Sequence, residues 1–118
     1  MSYDIDLICP VTKEPIDLGF THQIKGGTYA VDGTNKAELN VTYNYAPIFY
    51  KLFPEEGIRL LYNLSGAESI PILIEAIDKL GNDVSRDYWE CTEGNVKKVL
   101  NQLLAFARLR PDGIWSGD

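Results

Sequence analysis

Apolar residues in this chain recur at every second position before Tyr45 and at every third or fourth position after it. Side chains alternate across a strand but return to one face of a helix after about 3.6 residues. The change of rhythm therefore divides the chain into a β-rich first part and a helical second part.

In the first part, Tyr3, Ile5, Leu7 and Cys9 fall on one face of a strand. Pro10 and Pro15 fix φ and lack an N–H donor, so the stretch between them turns. Ile16 to Phe20 returns as a short second strand, which predicts an N-terminal hairpin. Thr21 to Gly27 reads as a loop. Thr28 to Val31 is a β-branched and aromatic run, and Asp32-Gly33 after it favours positive φ. Ala37 to Tyr43 is the clearest strand: Leu39, Val41 and Tyr43 share one face, and Glu38, Asn40, Thr42 and Asn44 the other. These two runs predict a second hairpin.

In the second part, Pro47 suits a first helical turn, and Ile48, Phe49, Leu52 and Phe53 follow at helical spacing. Pro54-Glu55-Glu56 opens another short helix, its carboxylates at the positive end, with Ile58, Leu61 and Leu64 inward. Ser65 to Glu68 has the form of a capping box. Pro71 competes with it, and Ser69 is preferred as the cap because Pro71 then lies in the first turn. Ile70, Leu73, Ile74, Ile77 and Leu80 form the apolar stripe, closed by Gly81. Asn82 to Cys91 is a polar, aromatic-bearing connection. Thr92 caps a last helix whose core face is Val96, Val99, Leu100, Leu103, Leu104 and Ala107, with Lys97, Lys98, Asn101, Gln102 and Arg108 toward water. Pro111-Asp112-Gly113 stops it, and Ile114 and Trp115 fold back over the core.

The expected class is α+β, with antiparallel hairpins of about four strands packed on roughly three to four C-terminal helices. At 118 residues, without repeats or linkers, residues 1–118 read as a single domain. The net charge of −6, with eleven scattered Lys and Arg, argues against direct nucleic-acid binding. No apolar run reaches the length of a membrane span, and Met1 to Asp6 carry no basic patch. These features predict a cytoplasmic protein in which Cys9 and Cys91 are reduced thiols.

The polar face of the main strand is the first candidate site. Asn is disfavoured in strands because its side chain competes for backbone hydrogen bonds. Glu38, Asn40, Thr42 and Asn44, with Tyr29 and Tyr45 as walls, could present amide and hydroxyl groups to a small polar ligand; a solvated strand face would read the same way. Gly26-Gly27-Thr28-Tyr29 opens a strand rather than a helix, which favours a tight bend over a phosphate loop. Asp87, Tyr88 and Trp89 form a candidate interface, since Tyr and Trp bury much area at low entropic cost. Asp83, Asp87, Glu90 and Glu93 offer a phosphate-like spacing, or a wet face. For catalysis the signals are thin. His22 is the only imidazole, no nucleophile is tied to it, and no His/Cys/carboxylate cluster has metal-ligand spacing. No catalytic residue, metal or cofactor is assigned.

Gly26-Gly27-Thr28-Tyr29, Asn40-Val41-Thr42-Tyr43-Asn44-Tyr45, Gly66-Ala67-Glu68-Ser69-Ile70-Pro71 and Arg110-Pro111-Asp112-Gly113 together resemble a group of small bacterial and phage proteins without an assigned activity. The resemblance spans most of the chain and implies a microbial or phage-infected cell as its setting. It carries over no catalytic role. The leading expectation is a non-enzymatic binding protein, an accessory or inhibitor factor engaging a host protein or a small polar ligand. The alternatives are a small enzyme using Glu38 or Asp87 on a polar metabolite, and a self-associating module using Tyr88 and Trp89.

Overall fold

The structure, a computed structural model, describes residues 2–22 and 34–118. Its strands are β1 (Ser2–Ile8), β2 (Asp17–His22), β3 (Thr34–Lys36), β4 (Glu38–Thr42) and β5 (Ile114–Gly117). Its helices are α1 (Ala46–Leu52), α2 (Gly66–Asp78) and α3 (Glu93–Leu109), with 3-10 turns over Tyr43–Tyr45 and Gly57–Leu61. The fold is α+β, as the change of rhythm predicts.

The strand pairing differs from a simple N-terminal hairpin of β1 with β2. β1 is the centre of an antiparallel sheet ordered β4-β1-β5, and among the described residues β2 pairs with β3 in a second sheet. The first two strands touch through a bridge between Ile8 and Pro15 before they part. Ala37 carries the chain from one sheet to the other. Its N–H donates to Ile16 O at 2.8 Å, and its carbonyl accepts from Leu7 N at 2.8 Å. The Thr28 to Val31 arm of the second expected hairpin lies outside the described residues. The arm that is described, β4, pairs with β1, Tyr3 opposite Val41 and Ile5 opposite Leu39.

The C-terminal strand was not legible in the sequence. Ile114 and Trp115 do fold back over the core, but as β5, with Trp115 opposite Leu7. Tyr3, Ile5, Leu7, Leu39, Val41 and Trp115 are buried on the inner face of the three-stranded sheet. They join Phe49, Ile58, Leu73, Leu100 and Leu103 in one core. Each such side chain contributes about 1.5–3 kcal/mol when fully removed from water.

The helical expectations hold for α3, whose Thr92 hydroxyl accepts from Asn95 N at 3.1 Å and whose six expected core residues are all buried. Two others are corrected. Ser65, not Ser69, caps α2, because the reciprocal Ser65–Glu68 box is complete and Pro71 sits inside the helix. Ser69 is fully buried instead, donating to Gly66 O at 2.7 Å and accepting from Trp115 Nε1 at 2.8 Å. That anchor turns Leu73, Ala76 and Leu80 inward and leaves Ile74 exposed. Glu55 adopts a φ of 79°, so Pro54 to Glu56 is a turn, and the one-turn helix begins only at Gly57.

The segments Gly66 to Pro71 and Arg110 to Gly113 meet here. The first donors of α2, Gly66 N and Ala67 N, give their hydrogen bonds to Gly113 O and Pro111 O at 2.8 and 3.0 Å. A helix start has no internal acceptor for these groups, so the 110–113 turn supplies it. Gly66 is required by the approach: a Cβ there would lie 2.8 Å from Arg110 O.

Candidate functional site

Thr42 ends β4 where its alternation breaks. Its side chain is buried rather than outward, and its hydroxyl accepts from Asn44 N at 3.1 Å to cap the 43–45 turn. Tyr43 and Asn44 therefore leave the strand, which corrects the faces assigned to them. The turn aims Tyr45 into the core, where burial, with the Tyr88 phenol beside it, pushes its own phenol well above the ordinary value.

The connection after α2 docks on this turn. Tyr45 Oη donates to Tyr88 O, Tyr88 Oη accepts from Thr42 N at 2.8 Å, and Asn44 Nδ2 donates to Trp89 O at 3.0 Å. The Tyr45 and Tyr88 rings meet edge to face at 5.5 Å, and Trp89 adds a further edge contact on Tyr88 at 5.1 Å. From the other side, buried Asn95 of α3 donates to Asp87 O and Glu90 O at 3.1 and 2.9 Å and accepts from Ser85 N at 3.0 Å. Gly94 lets the loop approach α3, since a Cβ would lie 2.5 Å from Val84 N.

The acidic residues with phosphate-like spacing fold this same loop. Asp83 accepts from Gly94 N, Glu93 from Gly81 N, Asp87 from Trp89 N and Glu90 from the Ser85 hydroxyl, at 2.5–3.1 Å. Thr42, Asn44 and Tyr45 are thus brought together with Asp87, Tyr88 and Trp89. The polar groups expected to serve a ligand and those expected to serve an interface hold each other.

Glu38 and Asn40 lie elsewhere, on the outer face of the three-stranded sheet. Asn40 Nδ2 donates to Ser2 Oγ at 2.6 Å and Asp4 Oδ1 at 2.7 Å, stitching β4 to β1. Glu38 stands opposite Asp6 and accepts from Thr34 Oγ1 at 3.2 Å. Desolvation, followed by the charges of Glu38, Asp4 and Asp118, pushes the Asp6 carboxyl up to about 6. Tyr29 lies outside the described residues.

Between loop, turn and helix there is a cavity of about 250 Å³. Leu39 of β4, Tyr45 and Tyr88 supply an apolar and aromatic wall, and Asn95, Lys98, Val99 and Gln102 of α3 face it with Ser85 and Arg86 of the loop. Only Tyr45 and Tyr88 of these figure among the sequence candidates; Glu38, Asn40 and Asp87 do not line it. Lys98 and Gln102, expected to face water, stand with Asn95 and Val99 at i, i+3, i+4 and i+7, one helix face. That spacing was the available signal. What it lacked was the loop that faces it.

Among the described residues no group of three or more His, Cys, Asp or Glu is placed to hold a metal ion. No helix there is long and apolar enough to cross a membrane. Cys9 is half-buried, Cys91 is exposed, and both thiols are free. Backbone N–H groups of Thr12 and Val11 hold the Cys9 thiol below its ordinary value, whereas partial desolvation of its sulfur raises that of Cys91 even though the residue as a whole is exposed. No family model, curated protein or solved structure matches this chain. The fold itself defines the class: an α+β chain with an aromatic-walled cavity between a pinned loop and its last helix.

Proposed function

We propose that this chain is a binding protein rather than an enzyme, and that a small polar ligand with an apolar ring occupies the cavity between the 85–88 loop and α3. The observation that carries the reading is that the cavity wall is built in advance. The loop is fixed by hydrogen bonds from Thr42, Asn44, Tyr45 and Asn95. A wall already fixed loses little further entropy when a ligand binds. The size is also apt: an engineered cavity of about 150 Å³ holds benzene, so about 250 Å³ accommodates a substituted one- or two-ring molecule.

The resemblance to bacterial and phage proteins supports a microbial accessory factor that acts by sequestering its ligand. A second reading, docking of a host protein, is favoured by Trp89, which is 50% exposed while its backbone is pinned to Asn44 and Asp87. Native mass spectrometry of the protein purified from a bacterial host tests the first reading. A bound mass of a few hundred daltons is expected, lost in Val99→Trp, which fills the cavity. A chain that carries no small molecule but co-purifies with a protein released by Trp89→Ala would replace it with the second.

A further inference from the structure

The polar groups of the cavity differ in whether they have anything left to offer. Asn95 is used on both sides of its amide by Asp87 O, Glu90 O and Ser85 N. The Ser85 hydroxyl donates to Glu90 and accepts from Asp87 N. Tyr45 Oη is turned to Tyr88 O and Tyr88 Oη to Thr42 N, so both tyrosines offer the cavity their rings. Arg86, Lys98 and Gln102 are different, since among the described residues no hydrogen bond, ion pair or ring contact engages the side chain of any of them.

Guanidinium and ammonium groups donate and never accept. The only uncommitted acceptor among these three side chains is the Gln102 carbonyl. No carboxylate stands among the described lining residues, although the chain has 17 Asp and Glu against 11 Lys and Arg. Two cations from separate elements, loop and helix, therefore converge on an aromatic wall in an acidic protein. A neutral ligand would leave those donors to water, and a cationic one would be repelled by both charges.

We infer that the ligand of this cavity is an anion: a flat ring bearing a single carboxylate or phosphate, the ring against Tyr45, Tyr88, Leu39 and Val99, the acid on Arg86, Lys98 and Gln102. The inference rests on the binding reading above and adds the sign of the charge. Arg86 gives a planar fork suited to either acid, and Lys98 a point charge beside it. The volume of about 250 Å³ fits a two-ring acid.

Three probes that share the two-ring naphthalene skeleton separate the possibilities: 2-naphthol, 2-naphthoate and 2-naphthyl phosphate, titrated into ¹⁵N-labelled protein and followed by residue-resolved NMR. Both anions are expected to bind at least about tenfold more tightly than the naphthol, a typical gain for charge-assisted hydrogen bonds. The tighter of the two names the acid. Arg86→Gln with Lys98→Gln should remove that advantage and leave the naphthol affinity as it was. Both positions are exposed, so circular dichroism should show an unchanged fold. Equal affinity for naphthol and the anions overturns the charge assignment while the binding reading stands. Absence of any shift at Val99 and Gln102 with all three probes overturns both.

Discussion

Asp6→Asn is expected to stabilise the chain at pH 8 and to change little near pH 4. Asp6 lies on the outer face of the sheet, opposite Glu38 on β4 and Ser116 on β5, with Asp4 two residues along. Desolvation, and then Glu38, Asp4 and Asp118, lift its carboxyl from 3.8 to about 6. Each tenfold change in proton affinity is about 1.4 kcal/mol, so this gap would be worth about 3 kcal/mol to a group shielded from water. Asp6 is only partly shielded, and solvent screening reduces the expected figure to about 1–2 kcal/mol. The folded chain holds this proton more tightly than the unfolded chain does. Stability from this group is therefore fully present below the ordinary value of 3.8 and is lost as pH rises through about 6. Asn keeps the shape of the protonated acid and cannot ionise. Urea unfolding of both forms at pH 4 and pH 8 reads the effect. The variant's midpoint should exceed the wild type's by about 0.5–1 M at pH 8, given typical urea slopes, and nearly coincide with it at pH 4. Equal shifts at the two pH values, or a less stable variant at pH 8, would refute the reasoning.

Other outcomes follow from packing. Gly94→Ala places a methyl 2.5 Å from Val84 N and 2.7 Å from Asp83 C; overpacking of this kind costs about 1–3 kcal/mol, and the Ser85 and Asp87 amide resonances should move with the displaced loop. Ser65→Ala removes the α2 cap and should cost about 1 kcal/mol in chemical denaturation. Trp115→Phe removes the hydrogen bond to buried Ser69 Oγ and should lower stability by about 1–2 kcal/mol, with both midpoints read by circular dichroism.

How far the sequence carries can be judged from α2 and α3. The last helix is legible throughout because a single face holds Val96, Val99, Leu100, Leu103, Leu104 and Ala107, with a Thr before it. In α2 the capping box was equally visible, yet an interior Pro costs about 3 kcal/mol and argued for a later start. The missing information was tertiary: carbonyls of Pro111 and Gly113 receive the first N–H groups, and Trp115 reaches Ser69. β5 was hidden for a similar reason, since four residues make no period and its partner β1 is at the other end of the chain.

The site was half legible. Tyr45 and Tyr88 stood out as large rings in polar surroundings, and both line the cavity. Thr42 and Asn44 were legible as unusual but not as clamps, because the carbonyl and hydroxyl they meet belong to a loop more than 40 residues away. Arg86, Lys98 and Gln102 look like ordinary surface residues in sequence. Only the docking of the loop on α3 brings them to one opening.

Native-state hydrogen exchange at Thr42 and Ser85 goes to the root of this picture, because their amides donate to side chains, Tyr88 Oη and Asn95 Oδ1, across the seam between the loop and its supports. Slow exchange at both, abolished for Ser85 in Asn95→Ala, is the result expected of a wall assembled in advance. Exchange at the rate of an open peptide in the intact protein would mean the wall is not there to bind anything.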